Sequence, residues 1–217
     1  MGMRTRVKIC GMTDQAEACA IAALGVDALG FIFVKESPRY VEAERVREIV
    51  ASLPPFVDLV GVFMNEELAV VNEIARSCGL TAIQLHGEEP PEYCRLMVRP
   101  VLKAFRVGGD ILPDFAGYRQ VVKGVLLDTY RPDKAGGTGE TFDWGVVGRL
   151  ALPAPLILAG GLTPDNVGAA IHQARPFAVD VNSGVETGPG RKDLGKLRRL
   201  LAEVRQADQQ LASSSRP

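Results

Sequence analysis

Residues 156–184 read LILAGGLTPDNVGAAIHQARPFAVDVNSG, and this stretch decides the fold. It opens on an unbroken apolar run at 156–159 and closes on another at 177–181. Strands buried on both faces read as such continuous runs, whereas half-exposed strands alternate apolar and polar residues. Between the two runs, Val167, Ala170, Ile171 and Ala174 fall on one face of a helical period. Thr163 followed by Pro164 reads as the N-cap and first turn of that helix. The unit is strand–helix–strand.

The same unit recurs along the chain. Further apolar runs lie at 7–10, 28–33, 59–63, 81–85, 101–105 and 121–127. Helical stripes separate them: Ala16, Cys19, Ala20, Ala23 and Leu24; then Val46, Ile49, Val50 and Leu53; then Val71, Ile74, Ala75 and Cys78. A last stripe, Leu197, Leu200, Leu201 and Val204, follows the final strand. Asp14 can cap the first helix with Glu17 as capping-box partner, and Gly25 and Gly79 stand where helices one and three should stop. The fifth unit is weakest, because its helical segment at 110–118 is short and holds Pro113. Eight strand–helix units predict an α/β protein with a single (β/α)8 (TIM) barrel over residues 1–205. An open doubly wound sheet is the alternative, since periodicity does not reveal closure. Residues 206–217 are polar and are expected to fray into solvent.

Composition narrows the function. The 25 Lys and Arg residues nearly balance 26 Asp and Glu, which argues against a nucleic acid or a membrane surface as partner. No apolar run approaches the roughly 18 residues of a membrane helix. Met1-Gly2-Met3-Arg4-Thr5-Arg6 has no secretory apolar core behind it, so a cytoplasmic location is expected. Cys10, Cys19, Cys78 and Cys94 form no C-x-x-C pair, and only His86 and His172 are present, so no metal site is expected.

In a barrel, reactive side chains belong where strands end and the following loops begin. Those positions hold Cys10, Arg39 in the loop after strand two, His86, Asp128 and Asp180. Cys19, Cys78 and Cys94 read as small buried hydrophobes. Cys10 differs: it ends a strand, precedes Gly11, and has Lys8 on its side of the strand to favour a thiolate. Asp128 follows Gly124-Val125-Leu126-Leu127, where a charge is expensive without a purpose. A carboxyl group in a partly dry mouth would have its pKa raised, as suits a general acid. Gly160-Gly161 ahead of a helix, together with Ser183-Gly184 after strand eight, forms a candidate phosphate cradle. Gly136-Gly137-Thr138-Gly139 reads as a linker or a water-excluding flap. His172 reads as solvated, and Arg191, Lys192, Lys196, Arg198 and Arg199 as the wet face of the last helix.

These residues carry a resemblance. Lys8-Ile9-Cys10-Gly11, Ser37-Pro38-Arg39-Tyr40, Gly61-Val62-Phe63, Gln84-Leu85-His86-Gly87, Leu127-Asp128, the glycine-rich segment at 136–139, Gly160-Gly161 and Asp180-Val181-Asn182-Ser183-Gly184-Val185-Glu186 resemble the phosphoribosylanthranilate isomerase family in order and over nearly the whole chain. The resemblance implies an Amadori rearrangement of a small phosphoribosyl substrate, the third step of tryptophan synthesis from anthranilate, with no cofactor. It implies Asp128 as general acid and Cys10 as general base. It implies Arg39 on the anthranilate carboxylate, with His86 in the substrate site and Asp180 near the sugar hydroxyls. Gly160, Gly161, Asn182, Ser183 and Gly184 would hold the phosphate. Asn182 departs from the small residue, usually serine, expected there. A monomer or homodimer is the expected assembly. Two other readings compete: a histidine-pathway aldose–ketose isomerase, which would pair two aspartates and is disfavoured by Cys10, and a non-catalytic phosphate-binding barrel.

Overall fold

A computed structural model describes residues 4–107, 114–128, 144–147 and 150–214. Eight parallel strands close a barrel in chain order: β1 (Arg6–Cys10), β2 (Ala28–Ile32), β3 (Asp58–Phe63), β4 (Ala82–Leu85), β5 (Val101–Arg106), β6 (Gly124–Asp128), β7 (Leu156–Ala159) and β8 (Ala178–Val181). Closure is made by β1 pairing with β8, with Lys8 opposite Asp180. The open-sheet alternative is thereby removed. Outside the barrel lie α1 (Gln15–Ala23), α2 (Ala43–Ala51), α3 (Leu68–Ser77), α4 (Pro91–Arg95), α5 (Trp144–Val147), α6 (Val167–Ala174) and α7 (Leu194–Ser214). A two-stranded antiparallel hairpin, β9 (Glu186–Gly188) and β10 (Arg191–Lys192), is inserted between β8 and α7.

Strand alternation divides the apolar residues between two environments. Val7, Ile9, Leu29 and Phe31 face outward into a continuous core shared with helix residues such as Ile21, Ile49 and Ile171. Ala104, Leu126, Ile157, Ala159 and Ala178 form a separate cluster inside the barrel, and Cys10, Ile32 and Val62 form another. Inward positions are often small, and at Gly30 the reason is visible. A Cβ there would lie 2.7 Å from Cys10 Sγ and 3.0 Å from Lys8 Nζ, so glycine makes room for both.

Several local expectations need correction. Asp14 caps α1 through Glu17 N–H as expected, but the Glu17 carboxylate turns away and accepts from Lys192 N–H. The helix after β7 is capped at Asn166 rather than Thr163. Thr163 Oγ1 instead accepts from Asp165 N–H, and Asn166 Oδ1 accepts from Thr163 N–H, so a side-chain-stabilised turn precedes α6. The fifth unit has a 3-10 turn at Ala116–Tyr118, while 108–113 lie outside the described residues. The tail expected to fray is helical through Ser214. Ala207 is buried, and Asp208 accepts from both the N–H and the hydroxyl of Thr5. The polar composition of 206–214 marks the outer face of a docked helix.

Candidate active site

The ten site residues expected from the sequence all line one cleft of about 430 Å³ at the C-terminal mouth of the barrel. Cys10 ends β1 and Asp128 ends β6, while His86 follows β4 and Arg39 lies in the loop after β2. Asp180 lies within β8. Gly160 and Gly161 after β7 and Asn182, Ser183 and Gly184 after β8 form the opposite wall. The glycine-rich segment at 136–139 lies outside the described residues.

The glycine wall is built for backbone approach. Gly160 and Gly161 adopt φ of 89° and 64°, a left-handed conformation that side chains resist. Asn182 leads into a 3-10 turn at Ser183–Val185, and a Cβ on Gly184 would collide with the backbone carbonyl of Leu162. The two loops interlock at that point. Gly184→Ala is expected to destabilise the protein by roughly 1–3 kcal/mol, the usual cost of overpacking against an unyielding backbone. The thermal midpoint of the unliganded protein checks this, and an unchanged midpoint would show the loops to be independent. One expected feature differs: no residue of α6 lines the cleft, and Val167 N–H at its start is bonded to Thr163 C=O. The donors of this wall are those of the loops themselves.

The polar groups on the floor are paired, with two informative exceptions. Lys8 Nζ donates to Asp180 Oδ2 at 2.8 Å, both side chains being buried. Burial pulls the Lys8 ammonium down, but Asp180 and Cys10 outweigh it and leave its pKa above the ordinary lysine value. Burial pushes the Cys10 thiol up, and Lys8 opposes without cancelling. Lys8 thus favours the thiolate as expected, but burial outweighs it, and its charge is shared with Asp180. Asp180 Oδ1 and Gln84 Oε1 are buried acceptors without partners among the described residues. Leaving such an atom unpaired costs about 1–3 kcal/mol unless a ligand supplies the donor. His86 Nδ1 lies 3.3 Å from Gln84 Nε2, and its Nε2 lies 3.4 Å from Asp128 Oδ2.

Arg39 is not loose. Its Nε donates to Glu186 Oε1 at 2.9 Å and its Nη2 to Glu186 Oε2 at 2.6 Å. Lys192 Nζ donates to the same carboxylate at 2.7 Å and to Asn182 Oδ1 at 2.9 Å. The reading of Lys192 as a solvated helix-face cation is thus overturned, since the hairpin folds its ammonium inward. Burial opposes the Glu186 charge, but hydrogen bonds from Arg39 and Lys192 prevail and hold its pKa below the ordinary glutamate value. Glu186 stands within a quoted motif without a role in the sequence reading; an acidic residue directly after the cradle loop was the available signal.

The remaining cysteines and His172 lie outside the cleft. Cys78 is buried and bonded to Ala43 C=O, and burial pushes the Cys94 thiol up to about 11. His172 pairs with Gln210 on the exposed surface. Among the described residues, no cluster of three or more His, Cys, Asp or Glu side chains is placed to hold a metal ion. Among the same residues no helix is long and apolar enough to cross a membrane.

A closed barrel with a polar cleft at its C-terminal mouth places the chain in the (β/α)8-barrel class, whose chemistry is sited at that end. Residues 7–203 match the family described as N-(5'phosphoribosyl)anthranilate (PRA) isomerase. The chain is 51% identical to the N-(5'-phosphoribosyl)anthranilate isomerase of Citrifermentans bemidjiense, over 93% of this chain and 97% of that protein. It is similar to the crystal structure of phosphoribosyl anthranilate isomerase from Thermotoga maritima, with 42% identity, a TM-score of 0.83, and 93% and 99% of the two chains covered. A crystal structure of a phosphoribosyl anthranilate isomerase in complex with reduced 1-(o-carboxyphenylamino)-1-deoxyribulose 5-phosphate matches with 39% identity and a TM-score of 0.80, again over 93% and 99% of the two chains. The chain belongs to the N-(5'-phosphoribosyl)anthranilate isomerase family and is an isomerase of tryptophan synthesis.

Proposed function

We propose that this cleft converts N-(5-phosphoribosyl)anthranilate to 1-(2-carboxyphenylamino)-1-deoxyribulose 5-phosphate, with Asp128 as acid and Cys10 as base. The observation that carries the reading is the shared cleft: one thiol and one carboxyl group line the same space as an interlocked pair of glycine loops. The phosphate is held by the loop amides around Gly160, Gly161, Ser183 and Gly184, and by the Asn182 amide nitrogen, because Lys192 engages its oxygen. The unpartnered Asp180 Oδ1 and Gln84 Oε1 accept from sugar hydroxyls, and His86 stands beside Asp128 against the substrate.

Asp128 gives its proton to the ribose ring oxygen as the C1′–O bond breaks, and the nitrogen lone pair forms a C1′=N iminium. The Cys10 thiolate takes the C2′ proton, and the electrons of that C–H bond flow into the iminium to give an enolamine. Tautomerisation yields the ketone. The iminium is itself the electron sink, so this chemistry asks for no cofactor. Its positive charge also arrives when the raised thiol needs help to ionise. Free thiols, Cys10 among them, suit the reducing cytoplasm in which we place the enzyme.

Arg39 sets the direction of the substrate by gripping the anthranilate carboxylate. Arg39→Met is expected to raise KM for N-(5-phosphoribosyl)anthranilate roughly 10–100-fold, the worth of a charged hydrogen-bonded pair. For N-(5-phosphoribosyl)aniline, which lacks the carboxylate, KM should be unchanged. Equal losses on both substrates would place Arg39 elsewhere in the mechanism.

A further inference from the structure

The Arg39 guanidinium has two edges on which a carboxylate can sit. Glu186 occupies the edge formed by Nε and Nη2. Among the described residues nothing accepts from Nη1, so the end edge remains for a ligand, and Arg39 lines the cleft. Glu186 is in turn fixed from several directions. Its Oε1 accepts from Gly190 N–H at 3.2 Å and from Lys192 Nζ at 2.7 Å, besides Arg39 Nε. Lys192 lies opposite Glu186 across the β9–β10 hairpin, and its side chain is fully buried. Behind Arg39, a Cβ on Gly11 would lie 2.8 Å from Arg39 Cδ and 2.9 Å from Asn182 Oδ1, so both side chains pack against the bare glycine.

Charge bookkeeping gives this arrangement a purpose. Arg39 and Glu186 alone form a neutral pair, and Glu186 would offset part of the attraction that Arg39 exerts on an incoming carboxylate. Lys192 adds one positive charge beside Glu186, whose carboxylate opposes the lowering of the ammonium's pKa by burial. It leaves the triad with a net charge of one, opposite to that of the ligand group. We propose that Glu186 and Lys192 are positioning residues that aim Arg39 and restore its charge, so that the β9–β10 hairpin sets recognition of the anthranilate carboxylate. Because Lys192 also holds Asn182, the same cation ties the carboxylate clamp to the phosphate cradle. The inference rests on the assignment of Arg39 to the carboxylate, and its test separates the two.

The test measures KM and kcat of the full-length protein on N-(5-phosphoribosyl)anthranilate and on N-(5-phosphoribosyl)aniline. Lys192→Met is expected to raise KM for the first about tenfold, the scale of coupling within one charge network. It should leave kcat near the parent value and raise KM for the aniline by a smaller factor, the share that passes through Asn182, and Lys192→Arg should restore the parent KM. An equal rise on both substrates, or no rise, overturns the inference. Glu186→Asp keeps the charge but shortens its reach by one methylene, and should show the same discrimination; it decides the matter if Lys192→Met does not fold. Loss of discrimination in Arg39→Met as well would mean that the assignment of Arg39 has failed. Discrimination by Arg39→Met but not by the hairpin variants would sink the present inference alone.

Discussion

Cys10→Ala is expected to lower kcat by roughly 10²–10⁴-fold, the contribution of a well-placed general base, with KM near that of the parent. The substitution removes one sulfur from a small cluster with Ile32 and Val62 and leaves the Lys8–Asp180 pair intact, so the fold should survive. Decay of substrate fluorescence on adding protein measures the rate. The parent protein carries a companion signature in pH. Burial holds the Cys10 thiol above its ordinary value, with Lys8 opposing in part, so the free protein contains mostly thiol at neutrality. A base works as thiolate, and thiolate accumulates only as pH rises. The alkylation rate of Cys10 in the free protein, followed site by site by mass spectrometry, should therefore climb from about pH 7 past about pH 9, beyond the ordinary thiol range. A plateau reached below that range would show that burial does not hold the thiol up.

Asp128→Asn should produce a loss of similar size, roughly 10²–10⁴-fold in kcat, for a different reason. Asparagine keeps the shape and can still hydrogen-bond, yet has no proton to give the ring oxygen. The two variants then stall on opposite sides of ring opening. Without Cys10 the substrate opens to the iminium and stops, so cyanoborohydride should trap a reduced adduct. Without Asp128 the ring stays closed, and no adduct should form. Neither variant should exchange the C2′ hydrogen with solvent. Trapping in the Asp128 variant at the rate seen in the Cys10 variant would reassign the acid, with His86, 3.4 Å from Asp128, next to be tested.

The two variants probe positions that are legible in the sequence, and the reason is topological. A strand buried on both faces advertises itself as an apolar run, and a barrel sends every strand end to one mouth, so Cys10 and Asp128 could be placed by counting. What escaped depends on contacts between distant segments. Lys192 sits in a basic stretch that looks solvated, and only the turn at Gly190 and pairing with Glu186 carry its ammonium inside. The raised pKa of Cys10 escaped for a related reason. Lys8 is two residues away and visible, whereas the burial that outweighs it, and Asp180, which engages it 172 residues later, come from distant strands. The start of α6 was displaced because the Asn166 amide bonds back to Thr163 N–H and Gly161 C=O, closing a turn ahead of the helix. The last turns of α7 read as a tail because their anchor, Thr5, is at the other end of the chain.

The seam of the barrel, where β1 meets β8, has a consequence for how the molecule comes alive. Lys8 and Asp180 face each other across that joint, and Cys10 stands beside them on the first strand. A nascent chain on the ribosome holds Cys10 from the beginning but lacks the partner of its neighbouring lysine until the eighth strand emerges. A half-made barrel leaves the lysine in water and the thiol without its setting, so it has no reaction to offer. Activity must therefore wait for the eighth strand rather than grow as the protein lengthens.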